Sequence, residues 1–222
     1  MSKPSVIFLD AVGTLFGVQG GVGQTYRDIA RKYGVKTDPE LLDQVFYECF
    51  VAAPPMAFPD APAHELWALE YEWWQQVVEQ TFRQAGFWER FEDFPKFFEA
   101  VYQHFAKADP WFVYPDVLDA LQRWQADGIT LGIISNFDSR LNLVLRELKL
   151  AHFFKSVTIS SAVGIAKPEA GIFEAALKLH NCEPQAAVHI GDSETDDYHG
   201  ARAAGLQAIL VQRAEPTVAP AL

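Results

Sequence analysis

The second half of the chain alternates short apolar runs with helical patterns, and this alternation is the feature that most limits the fold. From Pro115 onward, helical segments separate four runs of strand character, which lie near residues 129–134, 157–160, 187–190 and 207–211. One helix is predicted to begin at Pro115, and others lie near residues 138–148, 168–180 and 195–204. Such alternation is typical of βαβ units with parallel strands. Residues 5–10 are apolar on both faces, as a central strand requires. We therefore predict an α/β fold with a doubly wound, Rossmann-like parallel sheet.

A long segment of a different kind separates the first strand from this alternating half. Helical patterns dominate residues 17–112. The length of 222 residues exceeds a typical domain of about 150 residues, which leaves room for an insert. We predict a core of residues 1–16 and 113–222, interrupted by a helical insert at 17–112. Five of the six tryptophans fall in this insert, so we expect its rings to form a helix-packing core, with some of them lining a pocket roof.

Charge and cysteine content restrict the classes of function. The chain has 18 Lys and Arg against 29 Asp and Glu, a net charge of −11, which repels nucleic-acid backbones and anionic membrane surfaces. A small anionic substrate is compatible with this charge, because one site can differ in sign from the whole protein. Cys49 and Cys182 lie outside any metal-binding spacing. We expect a cytoplasmic protein that binds neither nucleic acid nor membrane, and the oligomeric state is left open.

Polar side chains follow the predicted strands at the points where the strands end. They are Asp10 with Thr14, Ser135 with Asn136, Lys167, and the acidic stretch from Asp192 to Asp197. Ligands of open parallel sheets bind outside the carboxyl ends of the strands. Four such junctions supply a carboxylate, a hydroxyl, an ammonium group and an acidic cluster. Together they predict a polar site at that edge of the sheet.

The residue types at these junctions suit nucleophilic transfer chemistry. Asp10, beside Lys167 and a metal ion, can remain ionised and attack phosphorus or carbon. Ser135 can donate a hydrogen bond to a transferred phosphoryl oxygen. Mg²⁺ prefers oxygen ligands, which Asp10 and Asp192 supply. The histidines show no ligand spacing, so neither His189 nor the other five receive a role.

In order and position, these motifs resemble those of the haloacid dehalogenase-like (HAD) hydrolase superfamily, of the type with a helical (C1) cap. The matching residues are Asp10-x-Val12-Gly13-Thr14, Ser135, Lys167-Pro168, and Gly191-Asp192 with a downstream acid. Residues 22–26 and 134–138 are similar to the subgroup named after a rhythmically expressed fly protein. The resemblance covers nearly the whole chain and implies that residues 17–112 form the cap.

The resemblance implies three catalytic residues: Asp10 as nucleophile, with Ser135 and Lys167 acting on the transferred group. Ser135 and Lys167 are also implied in phosphate binding, together with Asn136 and Ala11 in the adjoining loops. The implied reaction is hydrolysis of a small phosphorylated metabolite through an aspartyl-phosphate on Asp10.

The cofactor implied by the resemblance is Mg²⁺. Its ligands would be Asp10, the main-chain carbonyl of Val12, Asp192 and a further acid, bound directly or through water. For that acid we favour Asp197 over Asp196, because Asp197 has the family's spacing from the Gly-Ala pair that follows it.

Val12 is where the chain departs from phosphatases of this family. Those enzymes usually have a second aspartate there, which protonates the leaving group and then activates water. Positioned acid–base catalysis of this kind contributes about 10²–10⁴-fold to the rate. Valine can supply neither proton transfer, so the leaving group must depart without help, the cap must supply an acid, or the enzyme is weak.

The family's 2-haloacid dehalogenases also lack that aspartate, and their Asp-Ala-Tyr-Gly-Thr-Leu motif is close to residues 10–15. However, they use no metal and usually have serine at the position of Asp192. They also have a halide-contacting arginine about thirty residues after the nucleophile, where this chain reads Pro-Glu-Leu-Leu at 39–42. Three functions stay open: the favoured Mg²⁺-dependent phosphatase, a metal-independent 2-haloacid dehalogenase-like hydrolase, and a weakly active phosphate-binding or regulatory protein.

Overall fold

The computed structural model describes residues 3–213, and the outer residues 1–2 and 214–222 of the predicted core lie outside this range. The strands are β1 (Val6–Leu9), β2 (Phe16–Val18), β3 (Trp111–Val113), β4 (Thr130–Ser135), β5 (Ser156–Ile159), β6 (Ala187–Gly191) and β7 (Gln207–Leu210). The helices are α1 (Val22–Lys32), α2 (Pro39–Ala52), α3 (Leu66–Gln84), α4 (Phe94–His104), α5 (Val117–Ala126), α6 (Leu141–Glu147), α7 (Ser160–Val163), α8 (Ala170–His180) and α9 (Gly200–Ala203). None of the helices within 3–213 has the length and apolar character of a membrane span.

Five strands form one parallel sheet in the order β5-β4-β1-β6-β7. β1 is central, and Leu9 at its carboxyl end pairs with Ile133 on β4 and with Ile190 on β6. The chain continues from β4 to β5 on one side of β1, then crosses to the other side for β6 and β7. The strand order therefore changes direction at β1, and ligands of open α/β sheets bind at the carboxyl end of such a switch point. The predicted doubly wound parallel fold is confirmed.

Apolar packing covers both faces of this sheet, as the continuous apolar run of β1 requires. Ile7 and Leu9 belong to a core with helices α5 and α6, whereas Val6 and Phe8 pack on the other side with α8. All four side chains are buried. Because β1 is enclosed on both faces and paired on both edges, the residue that follows it is held in a fixed position.

Helices α1 to α4 lie between β2 and β3 and surround an aromatic core of their own. Phe82, Phe97 and Phe98 are completely buried in it. The sequence analysis did not predict β2 and β3, which pair antiparallel and join the two ends of this helical segment. Three-residue strands have too few residues to show a period. The division of the chain at residues 17 and 112 stays a prediction.

Some helix boundaries differ from the prediction. The helices expected from Pro115 and Pro168 begin two residues later, at Val117 and Ala170. The helix expected near 195–204 is a π-helical turn, Glu194–His199, which α9 continues. At this turn the Asp197 carboxylate accepts from the Ser193 N–H, and the Ser193 hydroxyl accepts from the Asp196 N–H. These side-chain hydrogen bonds compete with the regular helical pattern.

Glu70 on α3 connects the helical segment to loops of the parallel sheet. It is completely buried. Its carboxylate accepts hydrogen bonds from the Ser139 N–H at 2.9 Å, from the Ser161 hydroxyl at 2.6 Å and from the Ser139 hydroxyl. Burial raises the pKa of Glu70, and these hydrogen bonds offset the effect only in part.

The raised pKa of Glu70 predicts a pH-dependent contribution to stability. As pH rises from 4.5 through the raised pKa, the unfolded chain loses this proton first, so the free energy of unfolding falls. Glutamine does not titrate, and its amide can still pair with Ser139 and Ser161. We expect the stability of Glu70→Gln relative to wild type to increase as the pH rises above 4.5, measured by urea unfolding.

The matched control is Glu89→Gln, which changes an exposed glutamate of the same helical segment. The stability difference between this variant and wild type, measured over the same pH range, is the reference for the Glu-to-Gln exchange. A difference for Glu70→Gln that does not change with pH would show that folding does not perturb the Glu70 carboxyl.

Candidate active site

The polar residues predicted from the strand ends meet at the carboxyl edge of the parallel sheet. Asp10 follows β1, Ser135 ends β4, Asp192 follows β6, and Lys167 lies in the loop before α8. Asp10, Ser135 and Lys167 are buried, whereas Asp192 is exposed. Asp10, Asp192 and Asp197 each place a carboxylate oxygen within 4.8 Å of the other two. The structure thus brings the predicted nucleophile, lysine, hydroxyl and acidic residues into one site.

Lys167 lies between two carboxylates. Its Nζ is 2.6 Å from Oδ1 of Asp10 and 2.6 Å from Oδ1 of Asp197. Burial disfavours a charged lysine, but the two carboxylates outweigh burial and hold the pKa of Lys167 above its usual value. The site therefore has a fixed positive charge at neutral pH.

The same burial affects the two carboxylates differently. Burial raises the pKa of Asp10 to about 6, despite the opposing effect of the Lys167 ammonium. Burial also acts on Asp197, but the His189 hydrogen bond and the Lys167 charge outweigh it and hold the pKa of Asp197 well below its usual range. Asp197 thus stays ionised and balances the charge of Lys167. A cation bound beside Asp10 would favour the ionised form of Asp10.

His189 is a site residue that the sequence analysis missed. Its side chain is completely buried on β6, and its Nε2 lies 2.8 Å from Oδ1 of Asp197. An ionised carboxylate can only accept, so Nε2 carries the proton and donates. Burial lowers the pKa of His189, which keeps the ring neutral. The available signal was one polar residue inside an apolar strand, whereas the sequence analysis looked only for metal-ligand spacing.

Two glycines make room for the acidic side chains. A Cβ on Gly13 would collide with the carboxylate of Asp192, and one on Gly191 would collide with that of Asp197. Gly13 also has φ +85°, which favours glycine. Thr14 donates to Oδ1 of Asp192 at 3.0 Å. Gly13 therefore also limits where Asp192 can lie.

The residues predicted to bind phosphate have different surroundings. Asn136 donates to the Lys167 carbonyl at 2.9 Å and accepts from the Lys167 N–H at 2.8 Å, so its amide holds the lysine backbone. Ala11 is buried, and its carbonyl accepts the Leu15 N–H at 2.8 Å. Ser135 lines the cavity, and its hydroxyl makes no hydrogen bond within residues 3–213. Phosphate contacts from all three stay predictions.

The donor set suits a hard divalent cation. Asp10, Asp192 and Asp197 offer only carboxylate oxygens, the ligands that Mg²⁺ prefers. Oδ1 of Asp197 already contacts Lys167 and His189, and its Oδ2 accepts the Ser193 N–H. Asp197 therefore has less capacity left for a cation than the other two carboxylates, which fits a water-mediated contact better than a direct one.

A cavity of about 450 Å³ extends from these residues into the helical segment. Asp10, Ser135 and Lys167 lie at its floor. Its walls are mostly aromatic and include Tyr26, Phe46, Phe50, Trp74, Tyr102, Phe105 and Trp111. Two tryptophans of the insert, Trp74 and Trp111, line this cavity, as expected for some of the insert's rings. In contrast, Trp73 packs against Met56 and Val77.

Arg140 also lines the cavity, but its charge is already paired. Its guanidinium donates to both carboxylate oxygens of Asp138, at 2.9 and 2.6 Å, and to the Tyr102 carbonyl at 3.0 Å. Trp74 Nε1 donates to Asp138 as well, at 2.6 Å. The sequence analysis included Asp138 in the segment 134–138 but did not identify this buried pair, because no pattern in the sequence links Asp138 to Arg140.

Comparison with known proteins agrees with this geometry. The family model for haloacid dehalogenase-like hydrolases matches residues 4–205. Haloacid dehalogenase-like hydrolase domain-containing protein 3 of Homo sapiens is 35% identical over 213 residues, which cover 94% of this chain and 83% of that protein. Rhythmically expressed gene 2 protein of Drosophila melanogaster is 27% identical over 222 residues, with coverage of 95% and 84%.

Solved structures share the fold at lower identity. L-2-haloacid dehalogenase from Xanthobacter autotrophicus has a TM-score of 0.71 and 19% identity, covering 98% of this chain and 85% of that one. A HAD phosphatase from Thermococcus onnurineus has a TM-score of 0.61 and 22% identity, covering 98% and 91%. Both a dehalogenase and a phosphatase therefore resemble this architecture.

Replacing Gly13 by alanine should strain the backbone and, in addition, displace an acidic side chain of the site. Alanine at a positive φ costs roughly 1–2 kcal/mol, and its Cβ would also displace the Asp192 carboxylate. We expect Gly13→Ala to weaken Mg²⁺ binding by about 10–100-fold, measured by calorimetry.

Gly34→Ala is the matched control for this change. Gly34 has φ +79°, and an added Cβ would meet nothing within 4 Å. This variant should show a similar loss of thermal stability with unchanged Mg²⁺ affinity. Equal Mg²⁺ binding by the two variants would contradict the idea that Gly13 positions Asp192.

Proposed function

The chain belongs to the haloacid dehalogenase-like hydrolase family, and on that premise we propose that it is a Mg²⁺-dependent phosphohydrolase of a small phosphorylated metabolite. The observation that carries the proposal is the second carboxylate, Asp192, within 4.8 Å of Asp10 and Asp197 at the cavity floor. A dehalogenase that works without a metal has no need for a carboxylate there. Lys167 adds the positive charge that an anionic substrate requires in so acidic a protein.

In the proposed reaction, the Asp10 carboxylate attacks phosphorus and the bond to the leaving oxygen breaks, which gives an aspartyl-phosphate. Lys167, 2.6 Å from Asp10, offsets the negative charge of nucleophile and phosphoryl group. The Ser135 hydroxyl donates to a phosphoryl oxygen. Water then attacks phosphorus, which releases phosphate and restores the carboxylate.

Asp10, the Val12 carbonyl and Asp192 would hold Mg²⁺, with Asp197 as a direct or water-mediated partner. The bound ion supplies positive charge against the phosphoryl oxygens. Asp197 acts mainly through Lys167: it holds the ammonium at 2.6 Å and is itself fixed by His189. Asn136 fixes the same lysine through its backbone.

One experiment separates this proposal from the two alternatives. Purified protein is assayed with phosphate esters, acyl phosphates and 2-haloacids, with Mg²⁺ or with chelator, beside Asp10→Asn. Phosphate release that requires both Mg²⁺ and Asp10 supports the proposal. Halide release that is insensitive to chelator would refute it in favour of dehalogenation. Phosphate binding without turnover of any compound would indicate a regulatory protein.

Val12 predicts a specific kinetic defect. Its side chain lines the cavity and can neither protonate a leaving alkoxide nor activate water. Val12→Asp should raise kcat on alkyl phosphates by about tenfold or more, because positioned acid–base catalysis is typically worth about 10²–10⁴-fold. Steady-state phosphate release measures this effect.

The matched control is Val12→Asn, which has nearly the shape of aspartate but no transferable carboxyl proton. Its kcat should remain at the wild-type level. Unchanged or lower activity of Val12→Asp, in a folded protein, would mean that another group already supplies the proton.

A further inference from the structure

Three stacked aromatic rings form a wall of the cavity beyond Asp10. Phe50 stacks on Phe46 with ring centroids 5.7 Å apart and on Trp74 at 6.0 Å, with interplanar angles of 29° and 23°. All three residues line the cavity, and Phe50 is 39% exposed. Aromatic rings favour offset stacking or edge contacts with other rings. This wall therefore suits a flat aromatic group on the substrate.

The wall offers no unpaired charge to a ligand. Of the cavity-lining residues within 3–213, Arg140 is the one charged residue away from the floor, and Asp138 neutralises it through two hydrogen bonds. Tyr102 also lines the cavity, but its hydroxyl is buried and has no partner in the described part of the chain. A leaving group that fits this wall is uncharged.

The wall also offers no carboxylic acid for the leaving oxygen. Glu70, the buried acid of the helical segment, does not line the cavity and is bound to Ser139 and Ser161. With Val12 at the usual acid position, neither that position nor the wall gives a proton to the leaving oxygen, which then departs as an anion. A phenolic oxygen has a pKa of about 10, whereas water, which resembles an alkyl alcohol, has about 15.7. An aryl oxygen can therefore leave without the missing proton.

We infer that the natural substrate is an aryl phosphate with an uncharged aromatic leaving group, an inference that rests on the proposed phosphohydrolase function. Asp10 attacks phosphorus, the bond from phosphorus to the aryl oxygen breaks, and its electron pair leaves as an aryloxide that takes a proton from water. A second water attacks the aspartyl-phosphate at phosphorus and breaks the bond to Asp10. The proton released in this step balances the one taken up, and the products are a phenol and inorganic phosphate.

The test compares three esters in the presence of Mg²⁺. Phenyl phosphate has an aromatic ring and a phenolic leaving oxygen, benzyl phosphate has the ring with an alkyl oxygen, and ethyl phosphate has neither. We expect kcat/KM, which reports formation of the aspartyl-phosphate before the shared hydrolysis step, to be about 10²-fold or more higher for phenyl phosphate than for benzyl phosphate. Both ring-bearing esters should have a lower KM than ethyl phosphate. Val12→Asp should reduce the ratio of kcat/KM for phenyl phosphate to that for benzyl phosphate.

Variants of the wall test the binding part separately. Phe50→Ala should raise KM for phenyl phosphate by about 3- to 10-fold and leave kcat nearly unchanged. The control Trp67→Ala removes an exposed aromatic residue of the same segment that does not line the cavity, and it should change neither constant. 4-Carboxyphenyl phosphate should have a higher KM than phenyl phosphate, because Arg140 is already paired.

The results that would overturn the aryl inference differ from the result that would refute the phosphohydrolase function. Equal kcat/KM on phenyl and benzyl phosphate would show that another group, such as Asp196 at the floor, supplies the proton. That result, equal KM for phenyl and ethyl phosphate, or a lower KM for the carboxylated ester would overturn the aryl inference and leave the phosphohydrolase intact. No phosphate release from any ester or from acetyl phosphate would instead refute the proposed function.

Discussion

The arrangement of this site depends on one buried ammonium group held between two carboxylates. Removing charges from water is costly unless they are paired and hydrogen-bonded, and Lys167 meets both conditions with Asp10 and Asp197, each at 2.6 Å. The pairing in turn requires fixed partners. Asn136 holds the lysine backbone, and His189 holds Asp197 from inside the sheet. Of the two carboxylates, Asp10 is the one whose pKa burial raises. A cation bound beside it would favour the ionised form that a nucleophile requires.

Strand-end chemistry was predictable from the sequence, whereas contacts between distant elements were not. The apolar runs identify the strands, and parallel strands place their carboxyl ends at one edge, so the sequence alone was enough to group Asp10, Ser135 and Asp192. The Asp138–Arg140 pair and Glu70 lie off these junctions, and no local period marks them. The π-helical turn was missed because side-chain hydrogen bonds at residues 193–197 override helical propensity there.

The net negative charge of the chain arises from groups spread over the whole protein, whereas an anion in the site interacts mainly with the groups next to it. At physiological ionic strength, exposed charges are screened beyond about 8 Å, so most of the net charge of −11 is weakened at the cavity floor. There, the Lys167 ammonium is buried between Asp10 and Asp197, and electrostatic interactions are stronger in such a setting. In the proposed function, Lys167 and a bound Mg²⁺ together would offset these carboxylates and bind the anionic substrate, while the acidic surface repels large polyanions.

The loop after β4 joins the chemistry to the helical segment. Ser135 lies at the cavity floor, and three residues later Asp138 accepts from Trp74 on α3. The next residue, Ser139, donates to Glu70 on the same helix. Displacement of α3 relative to the loop that follows Ser135 must therefore break these hydrogen bonds. In the proposed function, Trp74 of the aromatic wall and the Ser135 hydroxyl would consequently keep a fixed relative position, so that the leaving group and the phosphoryl group are bound at a fixed distance from each other.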